Sequence, residues 1–348
     1  MIWELAGSAA VAGAISLIVC LLLMRRGPVD LPDEQRKAHK APTPTSGGIG
    51  IGVGYAIGML ALWRFAEQTT FNAQGAALAA LASVFAMGFL LVGFIDDTRH
   101  LGPRTKMLWF TLLSLGAAIT MGVVDALPIN ADYTVRLGLT VGLFGTALWV
   151  FTLVNCVNFM DGANGLAMGS VAVGLIALGV IGYAGGSNSM LAMCFCAAGA
   201  LVGFLVWNFP RGKIFAGDSG ALFVGAIAAL GSLVAIARTG ISPFIPPILF
   251  MPILADALMT LAWRVKRGRS LLVGHSEHLY QIALRAGWSH TRISLLYWGM
   301  MALCGMLGVA LSRSNDPSHA WIALIALAGL SLAVSILVRK YARTHGLF

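Results

Sequence analysis

Two adjacent aspartates, Asp96 and Asp97, end the apolar run of residues 84–95. Neighbouring carboxylates repel each other, and an apolar border makes it harder still for both to ionise. Arg104 and Lys106 follow shortly in the sequence, so positive charge is available close by. A divalent cation together with such basic side chains would supply the compensating charge that makes a paired aspartate tolerable.

Two further carboxylates lie in segments rich in Gly or Asn. Asp161 lies within NCVNFMDGANG (155–165), and Asp218 lies within FPRGKIFAGDSG (209–220). Asp, Asn and Gly also cap helices, so each motif taken alone has a structural interpretation. Three carboxylate motifs without His or Cys ligand spacing favour a hard cation that takes oxygen ligands and substrate phosphates. We therefore expect Mg²⁺, with Mn²⁺ as the alternative, and a phosphate-rich ligand beside the basic residues.

Two other segments are candidates for contacting phosphate. Residues 30–52 carry Lys40, then a stiff Pro-Thr-Pro and a Gly-Gly pair that permits close approach of a ligand. The segment lacks a Walker arrangement, so a rigid turn that feeds a helix stays an alternative. Residues 264–292 hold His275 and His278 beside a basic cluster. For this pair a phosphate-binding or proton-transfer role and a solvated loop position are both open.

The composition indicates the environment of these side chains. Of the 348 residues, 58% are hydrophobic and 11% are charged, whereas soluble domains carry about 25% charged residues. A soluble fold of this length could not bury so much apolar surface, so a membrane protein is predicted. The net charge of +9 would suit nucleic acid, but the basic residues form no stripe with interleaved aromatics. We expect no nucleic-acid partner, and the five cysteines have no disulfide or metal spacing.

Eleven segments have the length and apolarity of a membrane-spanning helix, which needs about 20 residues. They are residues 5–24, 47–63, 75–95, 107–124, 137–155, 165–184, 190–207, 220–238, 243–263, 293–312 and 319–338. The second and fourth are short, so ten spans stay an alternative. We predict a single all-α, polytopic domain over residues 1–348, with the lipid bilayer as its surroundings.

The distribution of basic residues predicts the orientation. Of the 23 Lys and Arg residues, 19 fall on the alternate connections that begin with residues 25–46. Because cytoplasmic loops carry an excess of Lys and Arg, that side is predicted to be cytoplasmic and the N-terminus outside. The three carboxylate motifs and the two histidines fall on the same side, which predicts an active site at the cytoplasmic face. Among the outer connections, only residues 125–136 are long enough for a small hairpin.

Asp256 stands apart from these motifs, because it lies within a predicted span. It precedes Arg264 by eight residues, or roughly 12 Å at 1.5 Å per residue. An ionisable side chain at such a depth is a functional candidate by default. It also follows several prolines in a segment predicted to be distorted, so structural hydrogen bonding and a functional role are both open.

Three motifs occur in series along the chain. They are Asp96-Asp97-x-x-x-Leu101-x-x-x-x-Lys106, then Asn155-x-x-Asn158-x-x-Asp161-Gly162-x-x-Gly165-Leu166, then Phe215-x-Gly217-Asp218-x-Gly220. In this order they resemble the motifs of the polyprenyl-phosphate N-acetylhexosamine-1-phosphate transferases, a family that includes the phospho-N-acetylmuramoyl-pentapeptide transferase of peptidoglycan synthesis. Any one motif alone would be weak evidence, but three spaced motifs in series are highly specific, and the resemblance covers nearly the whole chain.

The resemblance implies a reaction and roles for individual residues. A UDP-N-acetylhexosamine and polyprenyl (undecaprenyl) phosphate would give a polyprenyl-diphospho-sugar and UMP, with Mg²⁺. By position, Asp218 is the metal ligand and Asp96 is the base toward the lipid phosphate. Asp97 supports the metal and diphosphate site. Asn158 and Asp161 help to shape that site. For the nucleotide, Lys40 and Asn164 match contacting positions, and Phe215 matches a ring that stacks on uracil. Lys106 matches a substrate-binding position. His275 and His278 match residues that line the diphosphate pocket.

Two departures from the peptidoglycan enzyme indicate the branch. Asn164 replaces the second aspartate of its Asp-Gly-x-Asp-Gly motif, and His275-Ser276-Glu277-His278 replaces its triple histidine. The sequence therefore favours the branch that initiates O-antigen and lipopolysaccharide in the cell inner membrane. Many relatives carry Arg where Ser276 stands, so we expect the diphosphate pocket to draw its cation from Arg269 or Arg285.

Several alternatives stay open at this point. The muramoyl-pentapeptide transferase is one, and a membrane transporter is another of a different class. A transporter would be expected to carry charge near the bilayer midplane and often inverted repeats. The number of chemical steps and the formation of a homodimer are also open.

Overall fold

The computed structural model of the protein describes residues 2–25, 29–30, 43–65, 73–271 and 274–347. These residues form thirteen helices, which confirms the predicted all-α class. The helices are α1 (Ile2–Leu23), α2 (Gly47–Phe65), α3 (Ala73–Arg99), α4 (Pro103–Met121), α5 (Gly138–Phe159), α6 (Leu166–Ala184), α7 (Asn188–Asn208), α8 (Gly217–Thr239), α9 (Ile245–Leu249), α10 (Met251–Lys266), α11 (Leu279–Arg285), α12 (His290–Leu311) and α13 (Ser318–Thr344).

Nine of the helices in the described residues are long and apolar enough to cross a membrane. The protein is therefore a polytopic membrane protein, as predicted. The two other predicted spans coincide with α4, which carries Arg104 and Lys106 near its start, and with residues 243–263, which form two helices. Helices α9 and α10 meet at Phe250, and Pro252 lies in the first turn of α10, where a missing N–H costs no helical hydrogen bond.

Helix α8 lies at the centre of the bundle. Every residue from 219 to 235 is buried, and α2, α3, α5 and α6 pack around it. The helix is rich in Gly, Ala and Ser, whose small side chains allow neighbouring backbones to approach closely. Helix α13, by contrast, exposes most of its apolar side chains, as expected of a helix that faces lipid. The start of α8, which carries Asp218, is consequently held by several neighbours.

Two short antiparallel ladders complete the described residues. β1 (Val29–Asp30) pairs with β2 (Thr43–Pro44), in the segment where Pro-Thr-Pro predicts an extended chain. β3 (Ala126–Pro128) pairs with β4 (Thr134–Arg136), which confirms the predicted hairpin within residues 125–136. The Asn130 side-chain oxygen accepts hydrogen bonds from two amides in its turn.

The predicted orientation can be measured with single cysteines in a variant that lacks the five native ones. Cysteines at the exposed positions Arg104 and Lys213 should resist an impermeant thiol reagent in intact cells and react once the inner face is opened. Cysteines at Arg64, Asn130 and Asn315 should react from outside, because the basic-residue bias places those loops there. Labelling of the cysteines at Arg104 and Lys213 in intact cells would contradict the predicted orientation.

Candidate active site

Asp96 lies near the C-terminal end of α3, where the chain turns towards α4. His100 has a left-handed φ of 52° and follows the last helical residue. The Leu101 amide then donates a 2.7 Å hydrogen bond to Oδ1 of Asp96. Helix α4 begins at Pro103, a residue that suits the first helical position. This turn returns Lys106 to Asp96, and the two side chains form an ion pair.

Lys106 also connects the first motif to the third. Its ammonium nitrogen lies 3.0 Å from Oδ2 of Asp218, the second residue of α8. The carboxylates of Asp96 and Asp218 therefore converge on one cationic group, although they lie more than a hundred residues apart in the chain. A shared cation relieves the repulsion between two carboxylates at the border of an apolar bundle.

Asp97 is directed to the start of α8. Its two carboxylate oxygens accept hydrogen bonds from the amides of Asp218 (2.8 Å) and Ser219 (3.0 Å). The preceding Gly217 has a φ of +70°, and a Cβ there would lie 2.6 Å from an oxygen of Asp97, so glycine is required. The resemblance predicts support of the metal and diphosphate for Asp97. The structure adds a capping role that sequence reasoning missed.

Asp161 lies in the turn between α5 and α6, at the same end of the bundle. Burial of the carboxyl group, followed by the negative charges of Asp218 and Asp97, raises the pKa of Asp161 well above its usual value. Asn158 lies one turn earlier, and its carbonyl accepts the amide of Asp161. The acidic residues of all three motifs are thus brought together, as the sequence predicts.

Asn164 connects the second motif to neighbouring loops. Its amide donates to Nδ1 of His290 at 3.1 Å, and its side-chain nitrogen donates to the carbonyl of Pro210 at 3.0 Å. The side chain therefore lies beside the segment that leads to Asp218. Its predicted contact with a nucleotide stays a prediction.

The segment that precedes α8 is held against the start of α2. The half-buried Phe215 donates its amide to the Pro44 carbonyl at 2.8 Å and accepts from the amide of Gly47 at 2.9 Å. The backbone around the ring predicted to stack on uracil is thus fixed on both sides. Lys40, the other residue predicted to contact the nucleotide, lies outside the described residues.

The two histidines of the segment before α11 lie next to each other, with ring centroids 5.0 Å apart. His278 also stacks on Phe159, the last residue of α5, at 5.9 Å. Burial, followed by His278 and the guanidinium groups of Arg264 and Arg339, lowers the pKa of His275 to about 4. With this pKa, His275 is neutral at pH 7.

Basic residues surround Ser276 and Glu277. Arg264 contacts Glu277 at 2.7 Å, and Arg269 forms a second ion pair with the same carboxylate. Arg285 donates to the carbonyl and the hydroxyl of Ser276. Both arginines expected to compensate for the serine at position 276 therefore reach this segment. Arg269 is engaged by Glu277, whereas Arg285 bonds only neutral oxygens among the described residues.

The arrangement has the chemistry of an incomplete site for a hard cation. Two carboxylates, those of Asp96 and Asp218, meet at one positive group, and Asp161 experiences the negative charge of its neighbours. Within the described part of the chain, no three His, Cys, Asp or Glu side chains form a complete metal cluster. Mg²⁺ is commonly held by one or two carboxylates, with substrate phosphates and waters as the remaining ligands. The residues present fit that mode of binding.

Comparison with known proteins agrees with the motifs. Residues 78–236 match the family described as glycosyl transferase family 4. The decaprenyl-phosphate N-acetylglucosaminephosphotransferase of Mycobacterium tuberculosis is 28% identical over 92% of this chain and 85% of its own length. A probable undecaprenyl-phosphate N-acetylglucosaminyl 1-phosphate transferase of Bacillus subtilis is 29% identical over 81% of this chain and 76% of its own length. The phospho-N-acetylmuramoyl-pentapeptide-transferase of Moorella thermoacetica is 28% identical over 78% of this chain and 85% of its own length.

Fold, site and relatives define a multi-pass membrane enzyme of the sugar-phosphate transferase class. The chain is a relative of the polyprenyl-phosphate N-acetylhexosamine-1-phosphate transferases, which confirms the resemblance found in its three motifs.

The capping role of Asp97 predicts a loss of stability when its side chain is removed. Asp97→Ala leaves two amides of α8 without their acceptor, so the free energy of unfolding should fall by about 2 kcal/mol. Equilibrium unfolding in mixed micelles, without added metal, measures this change. Asp316→Ala is a matched control, because Asp316 accepts the Ser318 amide at the start of α13. It should lower stability without changing activity. Unchanged stability of Asp97→Ala, with only weaker metal binding, would assign Asp97 to the metal instead.

Proposed function

We propose that the protein transfers an N-acetylhexosamine 1-phosphate from a UDP-sugar to polyprenyl phosphate. An oxygen of the lipid phosphate attacks the sugar-linked phosphorus, a new phosphoanhydride bond forms, and the bond to UMP breaks. The observation that carries the proposal is the meeting of Asp96 and Asp218 at Lys106, with Asp161 near enough to experience the charges of Asp218 and Asp97. A diphosphate is the kind of ligand that such a mixture of carboxylates and cations accommodates, with a metal ion between them.

In the proposed reaction, each site residue is assigned a role from its position. Asp96, at the end of a long apolar helix, is the base toward the lipid phosphate, and Lys106 offers a positive charge to the same group. Asn164 and Phe215 flank the loop before Asp218 and are assigned to the nucleotide, together with Lys40. His275 and His278 line the diphosphate pocket beside Arg285. Catalysis in this scheme is positioning and charge neutralisation more than covalent chemistry.

Asp218 would hold Mg²⁺, with Asp96 and Asp161 close to it, and Mn²⁺ is the alternative ion. The bound ion would neutralise the diphosphate and make UMP a better leaving group. Asp97 contributes by fixing the first turn of α8 and therefore the carboxylate of Asp218.

For the branch, we propose a UDP-N-acetylhexosamine donor without a peptide and a role in initiating a lipid-linked glycan such as O-antigen. Asn164 and the His275-Ser276-Glu277-His278 segment support it, because both depart from the peptidoglycan enzyme. The relatives include both transferases of N-acetylglucosamine 1-phosphate and a muramoyl-pentapeptide transferase, so the peptidoglycan reaction is the second candidate. UDP-sugars are cytoplasmic, so the proposal places the site at the inner face of the cell membrane. Nothing in it requires a homodimer.

Asp218→Asn tests the metal-dependent reaction. Loss of one ligand charge should lower the rate by at least about 10³-fold, because the diphosphate loses several kcal/mol of charge stabilisation. Transfer of radiolabel from UDP-N-acetylglucosamine to undecaprenyl phosphate by purified protein, with Mg²⁺ titrated, measures it. Asp316→Asn keeps its helix-capping oxygen at the start of α13 and should retain normal activity. Near-normal Mg²⁺-dependent turnover by Asp218→Asn would remove Asp218 from the metal site.

A panel of donors tests the branch. Purified protein should transfer from UDP-N-acetylglucosamine or another UDP-N-acetylhexosamine and should use UDP-muramoyl-pentapeptide poorly, because the triple histidine is missing. Thin-layer separation of the labelled lipid products measures the preference. Efficient transfer from the muramoyl-pentapeptide donor alone would assign the protein to peptidoglycan synthesis.

A further inference from the structure

Asp256 on α10 is a carboxylate that the proposed reaction does not use. It is 2% exposed and lies within the predicted span 243–263. A buried ionisable side chain at that depth is costly unless it is fully hydrogen-bonded or its charge is compensated. Its partners therefore indicate why it is there.

Four donors from three segments point at this carboxylate. Oδ1 accepts the Leu279 amide at 2.7 Å and the Thr260 hydroxyl at 3.3 Å. Oδ2 accepts the Tyr280 amide at 3.2 Å and the Tyr297 hydroxyl at 2.6 Å. An ionised carboxylate has about four lone-pair sites and no proton to donate, so it matches four donors. Asparagine would present an N–H₂ group to donors and could not replace it.

The charge of Asp256 is compensated through α13. The guanidinium of Arg339 donates to the Thr260 hydroxyl at 2.7 Å, and that hydroxyl donates to Asp256. A second nitrogen of Arg339 donates to the Glu277 carbonyl at 3.1 Å. Arg339 and Asp256 thus hold the segment 277–280 from two sides.

The tethered segment is the one that carries His278. Nδ1 of His278 lies 3.5 Å from Oδ1 of Asp256. The hydroxyl of Tyr280 donates to the carbonyl of Phe159 at 3.2 Å, and the ring of His278 stacks on the ring of Phe159. Phe159 directly follows Asn158 of the second motif. A displacement of Asp256 would therefore move His278 relative to the second motif.

We propose that Asp256 is a positioning residue, which holds His278 in register with the second motif from inside the bundle. It acts through the amides of Leu279 and Tyr280 and through its contact with His278, and it does not touch substrate. The kinetic part of this inference rests on the proposed transferase function, whereas the structural part does not.

Hydrogen exchange tests the structural part without any activity. In Asp256→Asn, the amides in a peptide covering residues 277–285 should exchange at least about tenfold faster than in the wild type, because asparagine keeps only one acceptor oxygen for the amides of Leu279 and Tyr280 and presents a donor to the other. Amides of α8 should keep their wild-type exchange. Unchanged exchange in 277–285, or faster exchange across the whole chain, would overturn a local tether.

A double-mutant cycle tests the kinetic part. Asp256→Asn should lower kcat about 100-fold with little change in KM, since a displaced catalytic group has an effect of this size. In a His278→Gln background the same substitution should cost less than about threefold, because the group that Asp256 positions is already gone. Independent, multiplying losses would assign Asp256 a role that does not pass through His278.

Tyr297→Phe provides a milder variant if Asp256→Asn does not fold. It removes one donor to Asp256 and should lower kcat several-fold while it increases exchange in 277–285. Tyr55→Phe is the matched control, because Tyr55 is also buried and its hydroxyl makes a 2.6 Å hydrogen bond, to Ser83, in another part of the bundle. Equal effects of the two variants on kcat and on exchange in 277–285 would show that Tyr297 has only a general packing role.

The two proposals can fail separately. If the wild-type protein transfers no UDP-sugar while Asp256→Asn still speeds hydrogen exchange in 277–285, the transferase proposal fails and the structural part of the inference is supported.

Discussion

The close approach of α3 and α8 determines the geometry of the acidic site. At Gly93 the two backbones come so near that a Cβ would lie 2.5 Å from the Asp218 carbonyl and the Ser219 nitrogen. One helical turn later on the same face of α3 stands Asp97, because residues four apart are neighbours on a helix. Its carboxylate consequently reaches the first free amides of α8. Asp218 is then held at the end of a buried helix, beside Asp96.

The spacing of the first motif has a local physical explanation. Asp96 accepts the amide of Leu101, five residues on, and this bond closes the turn after His100. Pro103 starts α4 at once, so Lys106 returns to the carboxylate that closed the turn. The spacing of the motif therefore forms the turn and also places the ammonium group of Lys106 beside Asp96. The distance in sequence between Asp96 and Lys106 is that of one reverse turn between two helices.

The sequence predicts most of the fold because the membrane simplifies the problem. Apolar length alone locates the nine long apolar helices of the described residues, and the hairpin at 125–136 follows from the length of its connection. The prolines around Phe250 predict a distorted span, and the structure has two helices there. What the sequence does not reveal depends on contacts between distant segments. The capping of α8 by Asp97 and the four donors around Asp256 join residues from different helices, and no local pattern encodes such meetings.

The aspartates of this end of the bundle differ in what their oxygens contact, and this difference separates positioning from chemistry. Asp97 and Asp256 point at backbone amides, so their negative charge is used to fix helix starts. Asp96 and Asp218 share an ammonium group, which a substrate or a metal ion can displace or join. A carboxylate oxygen that accepts an amide at a helix start could turn towards a metal ion only by weakening that hydrogen bond. The two residues of the Asp-Asp pair therefore have different partners: Asp97 accepts the amides of α8, whereas Asp96 contacts the ammonium of Lys106 with one oxygen and closes its own turn with the other.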